Sequence, residues 1–198
     1  MNTGKLVVGV TGASGSIYAV RLLQYASKHF DEIYVCLSES AIEVAITELA
    51  LNIKPEEFSL EHWLGISVKN IFLLDRRDYF TPPASGSFRH DGMVICPCSA
   101  GTLGRIANGV SDDLLTRAAD VCLKEGRKLI LVPRETPLSK VMIRNMLNAA
   151  DAGATILPAS PAWYYNPENL EQLADTVVAR ILQNLGIEQN IVKQWAKE

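Results

Sequence analysis

Residues 5–15 read KLVVGVTGASG, and with the segment behind them they decide the fold. Leu6, Val7, Val8 and Val10 form an apolar run of the kind produced by a parallel strand buried on both faces. Thr11 through Gly15 follow as a small, bendable turn. Ile17, Val20, Leu22 and Leu23 then recur among polar partners as in a helix. A strand, a glycine-rich turn and a helix start make an anion site, because the first helical N–H groups are unpaired and the dipole is positive there. This points to a phosphate-bearing ligand near Gly12–Ser16. A turn that serves packing alone is the competing reading.

The spacing bears on which ligand. The glycines are Gly9, Gly12 and Gly15, which is not G-x-G-x-x-G. The second strand, about 32–37, ends at Ser38. A dinucleotide site would place a ribose-binding acid about there, ~20 residues past the glycines, yet the nearest acid is Glu39. A mononucleotide such as FMN fits at least as well, with Ser38 as a hydroxyl partner.

Further strands are expected at 71–74, 92–96, 128–132 and 154–158, and helices at 16–29, 39–50, 114–125, 139–151 and 169–185. Such alternation predicts an α/β fold: an open, doubly wound, mainly parallel sheet with helices on both faces, Rossmann- or flavodoxin-like. Residues 54–69 read as a short helix plus loop. At 198 residues the expectation is one domain, 1–198. The segment from about 159 to 198 is expected to complete the substrate site or subunit contacts.

Composition removes several classes. A net charge of −3 gives no general attraction to nucleic acid or membranes. No apolar run approaches the ~18 residues of a transmembrane helix, and the first residues lack a signal-peptide pattern. A cytoplasmic protein is the expectation. Cys36, Cys96, Cys98 and Cys122 are expected as reduced thiols. Cys96-Pro97-Cys98 is too tightly spaced for a C-x-x-C pair. The histidines, His29, His62 and His90, are scattered, so no metal site is expected.

Ligands in open α/β sheets bind outside the C-terminal strand ends. The residues at those ends are Gly12, Ala13 and Ser14; Ser38; Pro97 through Thr102; Arg134 and Glu135; and Pro158 through Tyr165. Hydroxyls, turns, a cation, an acid and aromatics suit a phosphate plus a flat ring. Two irregular segments stand out. Residues 75–91, DRRDYFTPPASGSFRHD, read as a long binding loop. Residues 158–167, PASPAWYYNP, carry three adjacent aromatics and read as a pocket wall or subunit interface.

Arg117 and Lys124 lie seven apart, about two helical turns, and share a face. Periodicity alone gives them, and Arg180 in the last helix, a solvated face. Arg134 differs, since its strand-end position aims it into the crevice, where a guanidinium fork suits phosphate or carboxylate. Glu48 and Glu135 are candidates for general acid/base work, and Glu135 serves equally well to neutralise Arg134.

Together these pieces resemble the UbiX-type flavin prenyltransferase family. The resemblance rests on TGASG at 11–15, Ser38 followed by Glu48, PPASGS at 82–87 and CPCSAGTLGRIANG at 96–109. RAADVCLKEGRKLILVPRETP at 117–137, PAWYYNP at 161–167 and VARIL at 178–182 complete it. It spans nearly the whole chain. By resemblance such proteins bind FMN and transfer a dimethylallyl group from dimethylallyl monophosphate to N5 and C6 of reduced FMN. The product, prenylated FMN, serves UbiD-type decarboxylases. The family is not known for needing a metal, and its members form homododecamers with FMN sites near subunit contacts.

Carried over by position, the resemblance implies FMN contacts at Gly12, Ala13, Ser14, Ser38, Ser99, Ala100, Gly101, Thr102 and Arg117. It implies a prenyl-phosphate site from Lys124, Arg134, Tyr164 and Arg180, with Tyr79 as an aromatic wall. Glu48 and Glu135 would handle protons or brace the phosphate, and Ser14, next to the flavin, would join a proton relay. Tyr79 stands where some members carry Trp, and Trp163 replaces another aromatic. Two alternatives remain at this point. One is an FMN-dependent cysteine decarboxylase, whose P-x-M-N motif is missing here. The other is a non-catalytic flavin-binding subunit of a decarboxylase complex. The glycine spacing disfavours an NAD(P) reductase.

Overall fold

The computed structural model describes residues 4–193. Six strands form one parallel sheet: β1 (Lys5–Val10), β2 (Glu32–Leu37), β3 (Ile71–Leu74), β4 (Gly92–Cys98), β5 (Leu129–Pro133) and β6 (Thr155–Ile156). Their order across the sheet is β3-β2-β1-β4-β5-β6. The chain starts in the middle, winds outward through β2 and β3, then returns to β4 on the other side of β1. That reversal opens a crevice between the C-terminal ends of β1 and β4.

The apolar runs alternate between two cores. Leu6, Val8 and Val10 of β1, with Val94, Cys96, Ile130 and Val132, pack beneath α1 (Ser16–Ala26), α2 (Glu39–Glu48), α3 (Leu60–Leu64) and α7 (Leu170–Leu185). Val7, Met93, Ile95, Leu129 and Leu131 face α4 (Ala100–Ala107), α5 (Leu114–Lys124) and α6 (Lys140–Asp151). Both faces are covered, so the strands need no polar alternation. Each fully buried aliphatic side chain contributes roughly 1.5–3 kcal/mol relative to exposure.

The doubly wound parallel sheet agrees with the sequence expectation, and the departures have physical reasons. Helix α4 was not expected. Gly101 and Gly104 each cost about 1 kcal/mol of helix propensity, but Leu103 and Ile106 are buried and the Ser99 hydroxyl caps the start by accepting from Thr102 N–H. Helix α1 stops at Ala26 rather than 29, in a turn where Ser27 and His29 N–H donate to Leu23 and Ala26 carbonyls. Strand β6 is shorter than expected, Thr155–Ile156, although Leu157 and Ala159 N–H still donate to Leu131 and Pro133 carbonyls beyond it. Residues 75–91 are irregular apart from one 3-10 turn, Pro82–Ala84. Of the C-terminal segment, 194–198 lie outside the described residues.

All four cysteines are free and buried. Burial pushes Cys36, Cys98 and Cys122 up to about 12 and Cys96 higher still. Such thiols stay protonated and are poor nucleophiles. Among the described residues no helix is long and apolar enough to cross a membrane.

Candidate active site

The β1–α1 loop, Thr11–Gly15, lies at the switch-point crevice. Helix α2 runs along this loop and touches it at both ends. A Cβ on Gly12 would come within 2.2 Å of Ser40 Oγ, so only glycine admits the start of α2 here. Gly15 has φ of +117°, a left-handed conformation that favours glycine. At the far end of α2, the Glu48 carboxylate accepts N–H from Gly15 at 2.9 Å and from Ser16 at 2.8 Å.

This arrangement corrects the expected anion site. The free N–H groups at the start of α1 do meet an anion, but it is the protein's own Glu48. Residues 15 and 48 are far apart in sequence, and only the course of α2 brings them together. Partial burial opposes ionisation of Glu48. Hydrogen bonds from the Ser14 side chain and from Ser16 and Gly15 N–H, with Arg134 nearby, nonetheless hold it below the usual carboxylate range.

Arg134 completes the cluster. It leaves the end of β5 and donates from Nε to the Ser14 carbonyl at 3.0 Å. Its two terminal nitrogens have no hydrogen-bond partner among the described residues. Ser14, Glu48 and Arg134 therefore meet at one rim of the crevice. Ser14, Thr47 and Glu48 also line a shallow pocket of about 290 Å3. Glu135, the next residue, is exposed, and its Oε1 accepts from Thr136 N–H at 3.1 Å.

The opposite rim is made by the β4–α4 turn and the start of α2. Ser99 caps α4, and its hydroxyl donates to Thr102 Oγ1 at 3.0 Å. Thr102 is buried and also accepts from Arg105, at 3.1 Å, so its hydroxyl is consumed inside the protein. Ala100 is half-buried; Gly101 is exposed, and a Cβ there would meet nothing within 4 Å. Ser38 caps α2 and accepts from Ala41 N–H at 3.1 Å. A flat ring with a phosphate needs a floor without bulky side chains and donors at its edge. Gly12, Ala13 and Gly101 supply the first. The α2 and α4 N-termini, with Ser38 and Ser99, supply the second. The residues present fit FMN.

The other predicted residues lie elsewhere on the chain. Arg117 and Lys124 do share a face, and that face carries the 82–88 loop. Arg117 Nε donates to the Ala84 carbonyl, and Lys124 Nζ lies 3.2 Å from where a Gly86 Cβ would be. Helix α5 starts beside Arg76, just past the end of β3, and finishes at Lys124, shortly before β5 begins. Lys124 is thus at the N-terminal ends of the strands, opposite the crevice, where it pairs with Glu125 at 3.0 Å. Tyr79 is 44% exposed on the 75–91 loop.

Tyr164 and Arg180 lie on the β6 flank. The Tyr164 and Tyr165 rings stand 4.4 Å apart. A hydrogen bond that the Tyr165 hydroxyl donates to Tyr164, then partial burial, raises the Tyr165 hydroxyl, and Arg180 opposes this. Arg180 donates to Gln183 Oε1 at 2.6 Å and faces a pocket shared with Leu157 and Ser160. A cavity of about 820 Å3 lies between α1, α7 and the tyrosine segment. Its wall is tied up by Arg21 and Asp175, paired at 2.7 Å, and it does not include the strand-end crevice.

Comparison with known proteins places this geometry in context. The family model described as Flavoprotein matches residues 1–194. The chain is 43% identical over 198 residues to a Pseudomonas aeruginosa protein named flavin prenyltransferase UbiX, covering 98% of this chain and 95% of that one. Among solved structures it is similar to a dodecameric FMN-dependent UbiX-like decarboxylase from Escherichia coli O157:H7, with TM-score 0.85, 38% identity and coverage of 98% and 100%. It is also similar to AnUbiX (PadA1) in complex with FMN and dimethylallyl pyrophosphate, with TM-score 0.84, 33% identity and 98% of both chains covered. The peptidyl-cysteine decarboxylase EpiD matches at 20% identity and TM-score 0.60, a likeness of fold alone.

Proposed function

The chain belongs to the UbiX-type flavin prenyltransferase family, and we propose that its crevice joins a dimethylallyl group from dimethylallyl monophosphate to N5 and C6 of reduced FMN. The observation that carries this reading is the Ser14–Glu48–Arg134 cluster at the switch point. Reduced FMN, when bound, supplies the nucleophilic ring.

The chain's own residues divide the remaining work. Gly12, Ala13, Ser38, Ser99, Ala100 and Gly101 cradle the flavin, and Thr102 holds Ser99 in place. Arg134 is fixed through Nε and keeps its terminal nitrogens for the phosphate of the prenyl donor. Charge placed in advance at a departing anion is the strongest catalytic device available to such a site. Glu48, already satisfied by N–H donors, stays ionised, orients Ser14 and balances Arg134. Glu135 has the freer carboxylate and is the better candidate to move protons. Tyr164 and Arg180 bound the donor from the β6 flank.

Lys124 and Tyr79 enter differently. Since Lys124 faces away from its own crevice, we assign it, with Arg117 and Tyr79, to a neighbouring copy's site in a homododecamer. Fully exposed Phe80 and the 68%-exposed Trp163 support burial of these segments against further copies. A UbiD-type decarboxylase is the expected recipient of the product. A cytoplasmic setting agrees with four free thiols.

The test is direct. The protein, reduced FMN and dimethylallyl monophosphate are mixed without oxygen, and the flavin is weighed by mass spectrometry. A five-carbon prenyl increment is expected; unmodified FMN would overturn the assignment and favour a non-catalytic flavin carrier.

A further inference from the structure

We propose that Thr11 is a positioning residue that sets the two rims of the flavin crevice at their working distance. Parallel pairing between β1 and β4 runs from Leu6↔Gly92 to Gly9↔Ile95 and then stops. Beyond that point Thr11 links the two chain segments. Its N–H donates to the Pro97 carbonyl at 3.2 Å, and its hydroxyl donates to the same oxygen at 2.9 Å. The hydroxyl also accepts from Ser99 N–H at 2.7 Å. Thr11 is only 2% exposed, so water cannot readily replace these bonds. It sits directly before Gly12 and holds Ser99, the cap of α4. One buried hydroxyl therefore connects the glycine loop to the opposite helix start, without itself facing the ligand.

The inference rests on the FMN reading above. If that reading holds, loss of the hydroxyl leaves Ser99 N–H unpaired and frees the β4–α4 turn. The flavin-free full chain is titrated with FMN by fluorescence. Thr11→Ser keeps the hydroxyl and is expected to bind within about threefold of the unmodified protein. Thr11→Val removes it and is expected to weaken binding about tenfold or more, the scale of one buried amide left without a partner.

Thr176 provides the control. It is also buried, donates to the Leu173 carbonyl at 2.8 Å and accepts from Ala162 N–H at 3.0 Å, but away from the crevice. Thr176→Val is expected to lower thermal stability while FMN affinity stays within about threefold. Normal FMN affinity in Thr11→Val, or equal weakening in both valine variants, would overturn the positioning role. Should Thr11→Val fail to fold, amide exchange at Ser99 in the unmodified chain decides: slow exchange is expected, and fast exchange overturns the link. Failure of the unmodified chain to bind FMN would instead overturn the flavin reading itself, and the positioning role with it.

Discussion

Two groups of charged residues, both predicted for the same reaction, have different standing in this chain. At the end of β1, Ser14, Glu48 and Arg134 come from three distant segments and are already in hydrogen-bonding contact. On the outer face of α5, Arg117 and Lys124 are held by their own neighbours, Asp120 and Glu125, at the rim of the 82–88 loop. The first group is complete within one chain. The second points away from that chain's crevice. The difference teaches that a shared helix face does not bring cations to the crevice of the same chain; on the reading proposed above, the α5 set serves a neighbouring copy's site.

The comparison breaks most sharply at Arg134. Arg134→Ala should leave FMN bound but lower prenyl transfer about 10²–10³-fold, the range found when one preorganised charge-stabilising donor is removed. Single-turnover product mass measures it, and unchanged turnover would remove Arg134 from the phosphate site.

Lys124→Ala should cost less, about 10–100-fold, since an oriented cation remains in Arg134. Its sharper use is in mixing. If Lys124 serves a neighbouring copy, impaired Lys124→Ala and Arg134→Ala chains, unfolded and reassembled together, should show activity above that of either variant alone. No recovery in mixed oligomers would mean that both residues act within one chain.

The smallest effect is expected at Glu48. Glu48→Gln keeps the shape but loses the charge at the α1 N-terminus, which should lower stability by about 0.3–1 kcal/mol in urea denaturation at pH 7. The sign of the pH dependence follows from the depressed carboxyl. Its contribution is present above the unfolded value of about 4.3 and is lost as pH falls through the lower folded value. The gap between Glu48→Gln and the unmodified protein should therefore close only in acid. A gap that closed near neutrality would contradict the hydrogen-bonded, ionised state.

Much of this was legible because it is local or periodic. The apolar runs at Leu6–Val10 and Leu129–Val132 announce strands buried on both faces. The position of Arg134 right after a strand announces a crevice residue. Glycine content hid α4, because its stability comes from Leu103 and Ile106 in the core rather than from propensity. The shared face of Arg117 and Lys124 followed from helical spacing, but spacing says nothing about which end of the sheet that face reaches. Thr11 looked like one more small residue in a turn, since its partners Pro97 and Ser99 lie some 86 to 88 positions away.

By itself the sequence determined the alternation of strands and helices, the two-sided cores and the residue types available at each strand end. Periodicity and turn chemistry act over a few residues, and that is the range at which sequence speaks plainly. Only the tertiary structure decided that Glu48 occupies the α1 N-terminus, that Thr11 joins the crevice rims and that Lys124 faces the far end. Each depends on where a remote element crosses the sheet, which packing of the whole core fixes.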